Sequence, residues 1–341
     1  MIIFPSKIQK GNTIGVTATS SGTEDERSLK RLEEAIKNIK SYGFKIIETP
    51  NVRKNEKLVS SSGKIRAKEF VDLWNNTNVK HIISKSGGEF LMEMLPYLHK
   101  ENLSLSSPPW VQGFSDTSLL LFYLTTNYNI ATIQAENFTT YSMKKWDTSI
   151  IDTLKILEQG FPATEKSFEK YEKYPINREE GKELEPYNLT EPVIYKALFD
   201  DKKTVFSGRL IGGCIDVIKT IIGTPYDNVQ NFCKQFSEGI IWHLENCELS
   251  IPDLYRALWQ MKEAGWFNNA TGVIIGRTMS SAPVGEFTYE DVLKNIFETL
   301  KIPVIYDVDF GHQAPMWALI NGSFATFEYE NGKGKIIQEA K

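Results

Sequence analysis

Pro108-Pro109-Trp110-Val111-Gln112-Gly113-Phe114-Ser115-Asp116-Thr117 is the stretch on which the fold turns. Residues 110–114 form a run preceded by two prolines, and the apolar stretch 118–125 follows almost at once. That order reads as a buried strand breaking sharply into a helix, with Ser115 at the break. Open α/β sheets place ligands at the carboxyl ends of their strands, so Ser115 stands where chemistry is expected.

Working toward the N-terminus, β-branched runs at 13–18, 44–49 and 79–83 alternate with amphipathic stretches at 24–42 and 64–74. The rhythm is β-α-β-α, which predicts a parallel sheet flanked by helices. Leu29, Leu32, Ala35, Ile36 and Ile39 recur at helical spacing and give the first helix one apolar face. Toward the C-terminus the pattern lapses at 161–204, where Lys and Glu alternate with Tyr and Pro, as in a linker or a surface-wrapping insertion. Periodicity resumes at 205. A strand, a Gly-Gly turn and a helix are expected over 207–222, then strands at 239–245 and 272–276, helices at 252–264 and 289–300, and short strands near Val304 and Ala325. The fold class is therefore α/β: a Rossmann-like parallel-sheet domain over 1–160, a linker over 161–204, and an α/β domain with mixed strands over 205–341.

Of the 341 residues, 41% are hydrophobic and 24% charged, the balance of a folded globular protein. A formal net charge of -4 with scattered Lys and Arg argues against a nucleic-acid partner. No run approaches the roughly 18 apolar residues of a membrane span, and residues 1–15 carry no signal-peptide core, which predicts a cytoplasmic chain. Cys214, Cys233 and Cys247 fit neither a zinc site nor a disulfide framework and read as free thiols. The four histidines form no metal-binding pair, so neither a metal nor an organic cofactor is implied.

Four motifs bear chemistry. A serine on a strand-to-helix turn is exposed and lies beside unpaired helix N–H groups, although Ser and Asp also start helices as simple caps. Gly87-Gly88 allows a backbone N–H to approach a ligand closely, or merely makes a turn. Glu245 ends the apolar run 240–244, where a carboxylate can orient an imidazole; Glu248 competes with it, and His243 is a rival base on the same strand face. His312, after Gly311, is of the residue type that most often serves as a general base, yet a loop histidine is commonly only a hydrogen-bonded surface residue.

Taken in order, these motifs resemble the LD-carboxypeptidase family of serine peptidases, which includes the microcin C self-immunity proteins. The likeness runs from the opening Gly11-Asn12-Thr13-Ile14-Gly15-Val16, through Gly87-Gly88, Gly113-Phe114-Ser115-Asp116, Gly208-Arg209-Leu210-Ile211-Gly212-Gly213 and Leu244-Glu245, to Gly311-His312 and Ile320-Asn321-Gly322. It implies a Ser115, Glu245, His312 triad in an interdomain cleft, an oxyanion hole from the backbone N–H groups of Gly88 and Asp116, and a homodimer. The chain departs from the family where an Arg-Gly-Gly-Tyr-Gly string becomes Ser86-Gly87-Gly88-Glu89-Phe90, where Gly-Gly-Asn becomes Gly212-Gly213-Cys214, and where His-Gly-Pro becomes Gln134-Ala135-Glu136-Asn137-Phe138. Serine cannot replace a charged bidentate donor, so Ser86, Gly87 and Asn137 are expected to bear on substrate recognition.

The long linker with Phe168, Tyr171 and Tyr174 resembles the immunity branch, which implies hydrolysis of an amide-type bond in an aminoacyl- or peptidyl-nucleotide. The alternative is an LD-carboxypeptidase trimming cell-wall tetrapeptides. A reading of another class is a non-catalytic protein that holds an anion or nucleotide at Asp116 and Gly87-Gly88.

Overall fold

The computed structural model describes residues 1–199 and 202–341; Asp200 and Asp201, inside the predicted linker, lie outside the described residues. Two sheets organise it. The first has six strands in the order Leu319–Asn321, Thr132–Gln134, Trp110–Gly113, Val79–Ser84, Thr13–Thr17, Lys45–Glu48. All neighbours are parallel except Leu319–Asn321, which runs antiparallel to Thr132–Gln134. Helices Glu26–Tyr42 and Gly63–Trp74 sit in the predicted crossovers. The first is capped by Asp25 and buries Leu32, Ala35, Ile36 and Ile39, whereas Leu29 from the expected stripe is exposed.

The second sheet has eight strands, Ala163–Lys166, Lys333–Glu339, Phe324–Glu330, Lys203–Cys214, Ile240–Glu245, Ala270–Gly276, Val304–Val308 and Lys196–Ala197 in that order. Four central strands are parallel and the outer ones antiparallel. Strand Ile240–Glu245 is buried throughout and its faces alternate: Ile240, Trp242 and Leu244 join the large core shared with the first sheet. Ile241 joins a smaller core on the other face.

Three features differ from the sequence reading. The stretch read as a surface linker supplies both edge strands of the second sheet, Ala163–Lys166 and Lys196–Ala197; segments this short carry no periodic signal of their own. The Gly-Gly pair at 212 and 213 makes no turn. It continues the strand, paired with His243 and Leu244. Finally, Leu319–Asn321 belongs to the first sheet, so the C-terminal part of the chain completes the N-terminal one.

Helix Ser118–Tyr128 joins the two halves. Residues 118–126 are buried all round, as expected of a helix packed on every side. Phe122 stacks on Trp266 with ring centroids 5.3 Å apart and lies 6.2 Å from Trp242. The start of this helix lies against the carboxyl end of strand Lys203–Cys214, where a Cβ on Gly213 would come 2.9 Å from Ser118 Cβ.

Candidate active site

Ser115 begins a short 3-10 turn between strand Trp110–Gly113 and the buried helix. Its φ is +62°, a left-handed conformation that costs a non-glycine residue about 1–2 kcal/mol. The cap reading does not hold, because no side-chain cap bond is made at this helix start. The backbone before it is clamped by Asn137, whose Oδ1 accepts from Phe114 N at 3.2 Å and whose Nδ2 donates to Phe114 O at 3.4 Å. Conformational strain at a half-buried side chain is common at functional sites.

Glu245, at the end of its strand, is fully buried, and its Oε2 lies 2.9 Å from His312 Nδ1. His312 is 13% exposed and its ring meets that of Phe114 at 5.1 Å, beside Ser115. Burial on its own pulls the imidazole pKa down. The Glu245 carboxylate and the Cys247 thiol outweigh it and leave the pKa well above 6.5. Gly311 makes the pair possible: its φ is +100°, and a Cβ there would stand 2.2 Å from Glu245 Oε2. The loop carrying His312 is held by Arg277, which pairs with buried Asp309 and donates to Gln313 O at 3.3 Å. Asp309 in turn accepts from Tyr195 Oη at 2.5 Å.

On the other flank, Gly87 lies against the serine, since a Cβ at 87 would come 2.8 Å from both Cβ and Oγ of Ser115 and 3.6 Å from Asp116 N. Ser21 N donates to Gly87 O at 3.2 Å, Ser86 Oγ to Ser21 O at 2.9 Å, and buried Lys85 Nζ to Gly22 O at 2.7 Å. Those bonds fix the glycine loop. Asp116 N lies in the first turn of a helix, where N–H groups have no intrahelical acceptor. A cavity of about 200 Å³ opens beside the pair, lined by Ser86, Phe114, Asn137, Tyr187, Gly311 and His312 among others.

Of the rival residues, His243 is fully buried, bonded through Nε2 to Asn321 Oδ1 at 2.7 Å, and held by burial at a pKa of about 4. Glu248 is exposed and lines a different cavity. Neither joins His312.

The sequence matches the LD-carboxypeptidase N-terminal domain over residues 14–135 and the C-terminal domain over 207–327. The chain belongs to the LD-carboxypeptidase family. As a member it is a serine peptidase-type hydrolase. It is 26% identical to the microcin C7 self-immunity protein MccF of Escherichia coli, over 99% of this chain and 96% of that one. It is 22% identical to a Bacillus subtilis protein named as a probable murein peptide carboxypeptidase, over 94% of this chain and 90% of that one. MccF in complex with glutamyl sulfamoyl guanosine has the same fold, with a TM-score of 0.82 at 22% identity over 99% of both chains. The complex with aspartyl sulfamoyl adenosine gives 0.81 at 23% identity.

Further groups of the site carry weaker signals in the sequence. Cys247 was read only as a free thiol, yet its thiol interacts with His312. Its position two residues beyond Glu245 was the available signal. Glu136, in the string that departs from His-Gly-Pro, lines the cleft with its carboxyl pushed by burial up to about 7. The Arg277–Asp309 pair carried no sequence signal, because it forms between the ends of two strands that only the folded second sheet sets side by side.

Proposed function

We propose that the protein is an amidohydrolase acting on aminoacyl- or peptidyl-nucleotides, with Ser115 as nucleophile, His312 as general base and Glu245 as the carboxylate that orients it. The buried Glu245–His312 pair beside the strained Ser115 turn carries this reading. Ser115 Oγ bonds to the acyl carbon while His312 takes its proton; the carbonyl oxygen, now anionic, lies against the N–H groups of Gly88 and Asp116. Collapse breaks the C–N bond as His312 returns the proton to the leaving nitrogen. Water, deprotonated by His312, then releases the acyl group and restores Ser115. Glu245 keeps the proton on Nδ1, leaving the other ring nitrogen for chemistry.

The substrate class rests on the MccF relationship across nearly the whole chain and on the aminoacyl sulfamoyl nucleotides bound to its fold neighbours. Ser86 and Asn137 line the cleft, Gly87 lies against Ser115, and Tyr187 offers a ring to a nucleobase in the cleft. Cell-wall tetrapeptide trimming is the second reading, favoured by the kinship to a murein peptide carboxypeptidase. Hydrolysis of an aminoacyl sulfamoyl adenosine and of an L,D-tetrapeptide, with Ser115→Ala as blank, separates the two. Cleavage of the conjugate alone supports the proposal; cleavage of the tetrapeptide alone overturns it. Conjugate binding without turnover by wild type would instead favour the anion-holding reading. A cytoplasmic homodimer completes the proposal, tested by light scattering and cell fractionation; no helix among the described residues is long and apolar enough to cross a membrane.

A further inference from the structure

A second cavity, of about 380 Å³, lies on the helix side of the Ser115 turn, where Asp116 and Leu119 line it. Its wall carries the carboxylates of Glu89, Asp116, Asp216, Glu248 and Asp253, and no Lys or Arg lines it. Two of these charges are answered within the protein. Asp216 accepts backbone N–H groups from Cys247 at 3.1 Å, Glu248 at 2.8 Å and Leu249 at 3.2 Å, which ties the segment after Glu245 to the cavity. Asp253 pairs with Arg256 at 2.7 Å. Among the described residues, Glu89 and Glu248 pair with no cation.

Asp116 supplies an observation of a different kind. It is 1% exposed; its Oδ2 accepts from Ser20 Oγ at 2.5 Å and Leu91 N at 2.9 Å, but its Oδ1 is buried with no partner. A buried carboxylate oxygen left unpaired is costly, and Asp116 stands in the wall of this cavity. The like charges around it add to that demand: burial, Glu248, Asp116 and Asp216 together hold the Glu89 carboxyl above its usual range. A cleft of one sign concentrates the opposite ion.

The two cavities flank the Ser115 turn, Phe114 lining one and Asp116 the other. The leaving nitrogen must lie near His312, so the leaving group takes the cleft that His312 and Phe114 line. The acyl carbon sits at Ser115, and its side chain then enters the cavity beyond Asp116. We propose that this cavity is the acyl side-chain subsite and that Glu89, Asp116 and Glu248 select a cationic aminoacyl group such as lysyl. This deepens, and rests on, the aminoacyl-nucleotide reading, and it separates the chain from relatives whose bound ligands carry glutamyl or aspartyl groups.

The test is kcat/KM for lysyl-, leucyl- and glutamyl-sulfamoyl adenosine, which share one α-amine and one leaving group, on wild type and on Glu248→Lys and Glu89→Gln. The lysyl conjugate is expected to exceed the glutamyl one by at least roughly tenfold, and Glu248→Lys to reverse or erase that order. Circular dichroism confirms that the variants fold; both changes are at exposed positions. If wild type cleaves the glutamyl conjugate as well as the lysyl one, the subsite assignment is overturned while the aminoacyl-nucleotide reading stands. If none of the three is cleaved, both fall. A lysyl preference that neither variant alters also overturns the assignment.

Discussion

Gly311→Ala tests whether the Glu245–His312 contact is as finely set as the structure requires. The added Cβ would lie 2.2 Å from Glu245 Oε2, and relief to a tolerable carbon–oxygen separation needs a shift of about 0.8 Å. That oxygen is the one 2.9 Å from His312 Nδ1, so the same shift stretches the contact beyond hydrogen-bonding range. Misplacing a catalytic group by about 1 Å costs on the order of 10²-fold, and loss of the orienting carboxylate up to about 10⁴-fold. The φ of +100° adds strain of about 1–3 kcal/mol. We therefore expect kcat to fall by about 10² to 10⁴ with the fold retained by circular dichroism. Gly285→Ala is the control, because Gly285 also has positive φ, at +61°, but a Cβ there meets nothing within 4 Å. A Gly311→Ala enzyme with kcat within about threefold of wild type would refute the claim that this contact supports catalysis.

Other perturbations probe separate links. His312 acts as base only when neutral, and its pKa is raised, so kcat/KM should climb with pH through a limb above 6.5; Glu245→Gln should move that limb down and depress the plateau, as a pH–rate profile reads directly. Gly87→Ala places a Cβ 2.8 Å from Ser115 Oγ and should lower kcat by at least about tenfold with a smaller effect on thermal stability, checked by steady-state kinetics and calorimetry. Burial holds the pKa of His81 at about 3 and that of His243 at about 4, below an unfolded value near 6.5. Their stabilisation is therefore complete above about pH 6.5 and lost as pH falls toward those values, and His81→Leu should reduce the slope of stability against pH by about 1.4 kcal/mol per unit between about pH 6 and 4 in urea titrations. Tyr195→Phe removes the donor to buried Asp309 and should cost about 1–3 kcal/mol in the same titrations.

The first sheet was legible because its strands are separated by crossover helices with their own periodicity. Residues 13–17 and 79–84 are buried strands, and the amphipathic stretch at 24–42 holds the helix Glu26–Tyr42. The strand-to-helix break at Ser115 was legible for the same reason. What stayed hidden depends on contacts between distant segments. Leu319–Asn321 reads as three apolar-to-polar residues, and only the open edge at Thr132–Gln134 makes it a strand of the first sheet. Lys333–Glu339 has too few apolar positions to announce itself, and its partners at 324–330 and 163–166 supply the pattern. At the site, spacing and residue type drew attention to Ser115, Glu245 and His312, and the structure sets Glu245 and His312 in contact beside Phe114. The carboxylates of the second cavity come from four separate segments of the chain, a convergence that sequence order conceals.

The most direct test of the account is to mix the enzyme with an aminoacyl sulfamoyl adenosine, quench within one turnover, and map any acyl adduct by peptide mass spectrometry. The account predicts an acyl ester on the peptide bearing Ser115, absent in Ser115→Ala along with turnover. An adduct on Cys247, or turnover near the wild-type rate in Ser115→Ala, would contradict it.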